Sequence, residues 1–307
     1  MSDLTVPVKD ESRAALISGL ACYTLWGLLP LWMYALKDAS VGPMEITAQR
    51  AVWAVLWAAG LVVIARKLPE LGRVIREPRT LGLLLASALL IGANWLIYVI
   101  AVNSGRTLEA SLGYYINPLM NMAAGALFFR ERIDRWGYVA VALAAVGVGF
   151  QTIAVGHPPV LSIGLALTFC AYGLIRKQVR ADAQTGLFVE AAILTLPALA
   201  YVLWLQGQGL GHFGQDAKTT LLILVAGPLT VAPLALFAWA ARRMPLVWMG
   251  FLQFIAPTLQ FMVGVWAGEA VTPLRALAFV FIWVGAGVFA LGAWLRTRRT
   301  LAAARPG

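Results

Sequence analysis

The chain has 307 residues, of which 61% are hydrophobic and 12% are charged, and its formal net charge is +10. A soluble domain carries roughly 25% charged residues, so this composition excludes a water-soluble globular protein and predicts a chain that lies mostly in lipid. The sequence has no HExxH, Walker A or GxSxG motif and only two histidines. We therefore predict no metal site, no cofactor and no nucleic-acid partner.

Ten segments are long and apolar enough to cross a bilayer, for which a helix needs about 20 residues. In chain order they are residues 14–36, 44–65, 81–102, 108–129, 136–153, 160–175, 187–205, 220–241, 246–267 and 274–295. The connections are short, and the longest are 66–80 and 206–219. Residues 1–13 are polar and precede the first span without a convincing cleavage site, so we predict that this span is retained.

The basic residues predict the orientation of these spans. If the N-terminus lies in the cytoplasm, all but five of the 24 Lys and Arg residues fall on the cytoplasmic side. The exceptions are Lys37, Arg50, Arg106, Lys218 and Arg275. This bias follows the positive-inside rule and predicts a bacterial-type inner-membrane protein with both termini in the cytoplasm. The net positive charge then reflects topology and not an acidic partner.

The two halves of the chain resemble each other. Ile-Asn-Pro at 116–118 aligns with Ile-Ala-Pro at 255–257, and Glu45 aligns with Glu190, in the same order along the chain. Each half holds five spans, and an odd number reverses the orientation of the second half. We therefore predict an all-α membrane protein of two inverted five-helix repeats, residues 1–155 and 156–307. Inverted repeats are typical of secondary transporters, whose substrate site lies between the repeats near the membrane midplane.

Polar residues line one face of the fourth span and of its counterpart, the ninth. Pro118 and Pro257 each remove a backbone hydrogen bond and predict a kink or hinge near the middle of the membrane. The polar stripes are Tyr114, Asn117 and Asn121 in the fourth span and Gln253 and Gln260 in the ninth. Two such helices running in opposite directions would line a central cavity. Alternatively, the amides hold helices together and the prolines only bend them.

The third span carries Asn94, Trp95 and Tyr98 at helical spacing. Aromatic walls with a few polar groups are typical of a small-molecule pocket. The alternative is an interfacial anchor, although these residues lie deep for an aromatic belt. Tyr172, which aligns with Trp26 of the first half, completes the predicted substrate-binding set.

Ionisable residues inside spans are costly and indicate function. Glu190 lies about one turn into the seventh span, where we expect either proton coupling or ammonium binding, or a structural ion pair with a nearby cation such as Arg176. Glu45 and Arg50 lie in the first turns of the second span, and we expect them to pair with each other or with Glu109. Glu109 alternatively stabilises a helix N-terminus through the helix dipole.

The stretch LIGANWLIYVIAVNSGRTLEASLGYYINPLMN at 90–121 resembles the RarD branch of the EamA-type drug/metabolite transporter (DMT) superfamily. GPMEITAQRAVW at 42–53, AYGLIRK at 171–177 and GFLQFIAPTLQF at 250–261 resemble it too. The resemblance implies ten helices in two repeats, a central cavity and exporter-like activity; relatives are often named for chloramphenicol sensitivity or resistance. Gln49 stands where the family often has His, so any proton coupling would fall to Glu190 or Glu109.

The sequence thus predicts a secondary transporter, most simply a monomer, that exports small metabolites or drugs and has protons as a candidate coupling ion. A membrane-embedded enzyme would need nucleophile, base or metal ligands at one membrane depth, whereas His157 and His212 lie in predicted outward-facing loops. A non-transporting sensor would need an extramembrane domain, for which the short loops leave no room.

Overall fold

The computed structural model describes residues 9–129, 134–244 and 246–303, and within these ranges the chain is all-helical. The helices are α1 (Lys9–Asp38), α2 (Pro43–Ile64), α3 (Leu68–Ile75), α4 (Pro78–Asn103), α5 (Thr107–Phe129), α6 (Arg135–Val155), α7 (Val160–Arg176), α8 (Ala183–Gly207), α9 (Ala217–Ala241), α10 (Leu246–Leu252), α11 (Ile255–Trp266) and α12 (Pro273–Ala303).

Most of these helices match the length of a membrane. Among the described residues, α1, α2, α4, α6, α8, α9 and α12 are the seven helices long and apolar enough to span a bilayer by length and composition, and α7 and α11 are shorter apolar helices. α5 has 23 residues, or about 35 Å at a rise of 1.5 Å per residue. The short helix α3 lies in the connection between α2 and α4, where the sequence predicted only a loop.

The ninth predicted span is not one helix. It divides into α10, which ends at Leu252, and α11, which begins at Ile255. Pro257 has no N–H to donate to the carbonyl of Gln253, and its ring would clash with that carbonyl in a continuous helix. The sequence predicted one span over 246–267 with a kink or hinge at Pro257, and the structure divides this span into two helices. Pro118, by contrast, lies within the uninterrupted helix α5.

The helices pack so that elements of like position in the two halves meet. α2 packs on α8, α5 packs on α11, and α6 makes an extensive interface with α12. Two further interfaces are equivalent to each other, because each joins the first span of one half to the third span of the other. In these interfaces α1 packs on α9 and α7 packs on α4. Every one of these five interfaces joins the first half of the chain to the second.

A glycine permits the close approach of α6 and α12. A methyl group added at Gly147 would lie 2.8 Å from the Ala278 carbonyl oxygen and 2.6 Å from Cγ1 of Ile282. At Gly149, two residues along the same helix, an added methyl group would meet nothing within 4 Å. Small residues at such crossings let helix backbones pack closely in lipid.

We expect Gly147→Ala to destabilise the protein by about 1–3 kcal/mol, because the new methyl group must push α12 away from α6. Gly149→Ala is the matched control and should be neutral, or stabilising by up to about 1 kcal/mol. Thermal unfolding of the two detergent-solubilised variants measures the difference. Equal stability of the two variants would contradict the described α6–α12 interface.

Candidate functional site

The bundle has two ends, which we name by their connections. The basic end carries the connections 65–77 and 177–182, and the opposite end carries 39–42, 104–106, 156–159, 208–216 and 267–272. Polar side chains collect inside the bundle at two levels, one nearer to each end.

A buried arginine lies at the centre of the first group. Arg50 of α2 is 5% exposed, and its Nε donates to Oγ1 of Thr230 on α9 at 2.8 Å. Its guanidinium carbon lies 4.5 Å from the centroid of the Trp95 ring on α4, a cation–π contact. Arg50 lies about 10 Å along the axis of α2 from its first residue, Pro43, at a rise of 1.5 Å per residue.

Asn94 links the arginine's surroundings to α7. Its Nδ2 donates to the Leu165 carbonyl at 3.0 Å and to Oγ1 of Thr168 at 2.9 Å. Its Oδ1 accepts from the Tyr114 hydroxyl at 3.4 Å. The Tyr114 ring meets the Tyr98 ring edge to face, with centroids 5.4 Å apart. We call Arg50, Asn94, Trp95, Tyr98, Tyr114 and Thr230 the Arg50 cluster.

Several buried polar atoms in and around this cluster have no protein partner among the described residues. They are Tyr98 Oη, Gln49 Nε2, Asn117 Oδ1 and Gln260 Oε1. Most buried polar groups in proteins are hydrogen-bonded, so these unpaired atoms are available to a solute, as are others elsewhere in the bundle such as Asn103 and Gln151.

The expected pairing of Glu45 with Arg50 or Glu109 is wrong. Glu45 accepts from the His212 backbone N–H at 2.8 Å and lies 2.7 Å from His212 Nδ1. Glu109 accepts from Nε of Arg106 at 2.9 Å and from the backbone N–H of Leu161 at 3.0 Å, at the start of α7. Both carboxylates hold the opposite end of the bundle together and do not reach Arg50.

The second polar group surrounds Glu190 of α8, which is 2% exposed. One carboxylate oxygen accepts from Oγ of Ser87 at 2.5 Å, and the other accepts from the Tyr172 hydroxyl at 3.3 Å. Nη1 of Arg176 lies 3.5 Å from the carboxylate, as an ion pair without hydrogen-bond geometry. The structure therefore brings Tyr172 to Glu190 and not to the Arg50 cluster.

The remaining predicted residues are more dispersed. Asn117 is buried, whereas Asn121, one turn further along α5, is exposed. Gln253 is half-buried in the break between α10 and α11. Nε2 of Gln260 donates to the Trp26 carbonyl at 3.2 Å, and this carbonyl lacks its helical partner because Pro30 carries no N–H four residues later.

The hydroxyl partners of these polar side chains were not evident from the sequence. Thr230, Thr168 and Ser87 contact Arg50, Asn94 and Glu190 respectively, yet each lies in an otherwise apolar span. A weak signal existed for Thr230, which lies between Pro228 and Pro233 in α9. Hydroxyls are common in membrane helices, where they bond to their own backbone, so the other two carried no distinguishing pattern.

A cavity of about 630 Å³ lies between α5, α10, α11 and α12. Its described lining is mainly aromatic and includes Tyr115, Trp248, Phe254 and Trp283, and none of the predicted polar residues belongs to it. It adjoins the helix break but offers few polar groups. Among the described residues, no three or more His, Cys, Asp or Glu side chains are placed to hold a metal ion.

The basic end is closed by an ionic contact between the halves, which we call the basic-end latch. Nζ of Lys67 lies 2.7 Å from Oδ2 of Asp182. Glu70 on α3 accepts from the Asp182 backbone N–H at 2.9 Å, and Arg73 donates to the Arg180 carbonyl at 3.0 Å. Asp182 also caps α8 by accepting from the Thr185 N–H at 2.8 Å.

We expect Asp182→Asn to lower the thermal stability of the solubilised protein at neutral pH, because asparagine keeps the helix cap but loses the charge opposite Lys67. Burial raises the pKa of the Asp182 carboxyl, but its contacts with Glu70, Lys67 and Thr185 outweigh burial and hold the pKa below the ordinary value of 3.8. The contribution is therefore complete above about pH 4 and is lost as the pH falls through the depressed pKa.

Unfolding temperatures of both forms from about pH 8 to pH 3 test this expectation. The difference should be constant down to about pH 5 and should shrink below about pH 4. In a Lys67→Gln background, Asp182→Asn should have little further effect, because the partner charge is already gone. Full additivity of the two substitutions would contradict the latch.

Comparison with known proteins places the chain among bacterial transporters. Residues 13–152 match the EamA-like transporter family. The chain is 41% identical to Protein RarD of Streptomyces exfoliatus, over 97% of this chain and 96% of the relative. It is 39% identical to an uncharacterized transporter of Vibrio cholerae, over 93% and 94% of the two chains.

A solved crystal structure shares the fold. It covers 89% of this chain and 96% of its own, with a TM-score of 0.59 and 21% sequence identity. At that level of identity the likeness concerns the fold alone.

Proposed function

Since the chain belongs to the RarD branch of the EamA-type drug/metabolite transporter superfamily, we propose that it is a secondary transporter that exports small metabolites or drugs. The family is one of transporters and not an enzyme class, and the bacterial relatives and apolar helices identify a multi-pass inner-membrane protein. Its surroundings are the lipid bilayer and its partner is a small-molecule substrate. The proposed transporter acts as a monomer.

This proposal depends on one observation: the polar contacts of the Arg50 cluster join the first half of the chain to the second. Arg50 and Asn94, both in residues 1–155, find their partners Thr230 and Thr168 in residues 156–307. The Arg50 cluster thus lies between the proposed repeats, where inverted-repeat transporters bind their substrates. The like-with-like packing of α2 on α8, α5 on α11 and α6 on α12 supports the division into two repeats.

Alternating access is supported by contacts that join the halves at both ends. At the opposite end, Glu45 is bound to His212, and Glu269 accepts from the backbone N–H groups of Thr107 and Leu108 at the start of α5. At the basic end, Lys67 pairs with Asp182. In the proposed mechanism, release of one set of contacts while the other holds exposes the Arg50 cluster to one side at a time.

The proposed site comprises the Arg50 cluster with Asn117 and Gln260, and extends towards Asn121 and Gln253. We propose that the interruption between α10 and α11, just before Pro257, acts as a hinge. Pro118 has no such interruption, because α5 is one continuous helix. For Glu190, the contact with Arg176 favours a structural ion pair over proton coupling, since the carboxylate already has a cationic neighbour.

The proposed orientation places the basic end and both termini in the cytoplasm. Gln178 and Gln215 are exposed residues in the connections on either side of α8, and they form a matched pair for labelling. With Cys22 and Cys170 replaced by alanine, a membrane-impermeant maleimide added to spheroplasts should label Gln215→Cys. Gln178→Cys should react only after permeabilisation. Labelling of both from the same side would contradict the proposed crossing of the membrane by α8, on which the inverted topology depends.

Flux through purified protein in liposomes tests transport itself. We expect uptake of one or more members of a panel of amino acids, organic acids and phenicols. Asn117→Ala should lower the uptake efficiency by about 2- to 10-fold, the worth of one hydrogen bond. Thr152→Ala in α6, whose hydroxyl bonds among the described residues to the Val148 carbonyl of its own helix, should leave uptake unchanged.

The same liposomes separate the two roles of Glu190. Under a structural role, Glu190→Gln lowers uptake and counterflow together. Under proton coupling, it abolishes uptake driven by a pH gradient and spares counterflow. Absence of flux for every panel member, with well-folded protein, would contradict the transporter proposal.

A further inference from the structure

Among the residues that the structure describes, none of the acidic side chains forms an ion pair with Arg50. Arg50 donates a hydrogen bond to the hydroxyl of Thr230 and makes a cation–π contact with the ring of Trp95. The two acidic residues that the sequence offered as partners of this cluster are engaged elsewhere, Glu45 with His212 and Glu109 with Arg106 and Leu161. The Arg50 cluster therefore carries a positive charge that no described acidic residue balances.

Such a charge is expensive for stability. A buried ion without an opposite charge destabilises the folded protein, and ionisable residues inside membrane proteins usually mark substrate or ion pathways. The cation–π contact with Trp95 offsets only part of this desolvation cost. A purely structural position would be served equally well by a neutral side chain that hydrogen-bonds to Thr230.

The unused donors point to one ligand chemistry. Thr230 occupies Nε of Arg50, and no described protein acceptor engages the two terminal nitrogens. These two nitrogens form a planar fork that matches the two oxygens of a carboxylate. The hydroxyl of Tyr98, a residue that is 2% exposed, has no partner among the described residues and is a further donor within the Arg50 cluster.

On this basis we propose that Arg50 is the substrate-binding residue that receives a carboxylate, so that the protein transports small organic acids or zwitterions that carry one. This inference rests on the proposed transport function and assigns its substrate class. The carboxylate accepts from both terminal nitrogens of Arg50 and from the hydroxyl of Tyr98. The aromatic rings of Trp95 and Tyr114 form the walls against which the rest of the substrate packs.

Matched acids and amides test the assignment. Hydrocinnamate and hexanoate, each compared with its carboxamide, are added to the detergent-solubilised protein, and protection against thermal unfolding is measured over a concentration series. The wild type should bind each acid at least 10-fold more tightly than its amide, because only the acid makes the charge-assisted pair. Equal affinity of acid and amide for the wild type would overturn the proposal without recourse to any variant.

Three variants locate the preference. Arg50→Gln keeps a donor near Thr230 but removes the charge and should bind acid and amide alike. Arg50→Lys keeps the charge without the fork, so it should retain the preference for the acid at lower affinity. Tyr98→Phe should weaken acid binding by about 2- to 10-fold. An unchanged acid preference in Arg50→Gln, with an unfolding temperature like that of the wild type, would overturn the role of Arg50.

Flux of the same compounds keeps the two proposals distinct. If wild-type liposomes transport a panel member but the acid-to-amide ratio of transport is the same in Arg50→Gln, the carboxylate assignment fails and the transporter stands. If the acids bind with the expected preference and no compound moves, the transport proposal fails and the anion site stands.

Discussion

Inside a bilayer, polar groups must find their partners within the protein, because lipid offers none. In this chain several buried polar side chains find a partner in the other half. Arg50 reaches Thr230, Asn94 reaches Thr168, and Ser87 reaches Glu190. The two halves are consequently held together by hydrogen bonds across a shared interior as well as by the packing of apolar surfaces. The same contacts that stabilise the fold therefore also form its candidate binding region.

The prolines of the bundle show how backbone groups become available inside lipid. Pro30 leaves the Trp26 carbonyl without a helical donor, and Gln260 from α11 supplies one. Pro257 has a stronger effect, since it coincides with the interruption between α10 and α11. Pro118 leaves α5 continuous. Two sequence-equivalent prolines thus have unequal structural results, and the halves are similar without being identical.

The charged residues at the ends of the bundle differ from those in its interior in how their charges are paired. Carboxylates close both ends of the bundle, with Glu45 and Glu109 at one end and Asp182 in the basic-end latch. Glu190 is itself neutralised by Arg176. Arg50 is the ionisable group of this interior, within the described chain, whose charge is not met by an acid. A negatively charged substrate would pair with Arg50 and thereby neutralise the charge of the interior.

The sequence by itself determined the membrane class, the positions of nearly all spans and the family, because each depends on local composition or on contiguous motifs. It also identified Arg50, Asn94, Trp95, Tyr98 and Tyr114 as candidates, since polar and aromatic residues stand out in an apolar span. Only the tertiary structure decided which of them meet. Glu45 and Arg50 are five residues apart, which turns them by about 140° around a helix, so each faces a different neighbour. Those neighbours, His212 and Thr230, lie more than half the chain away, and no pattern within α2 encodes them.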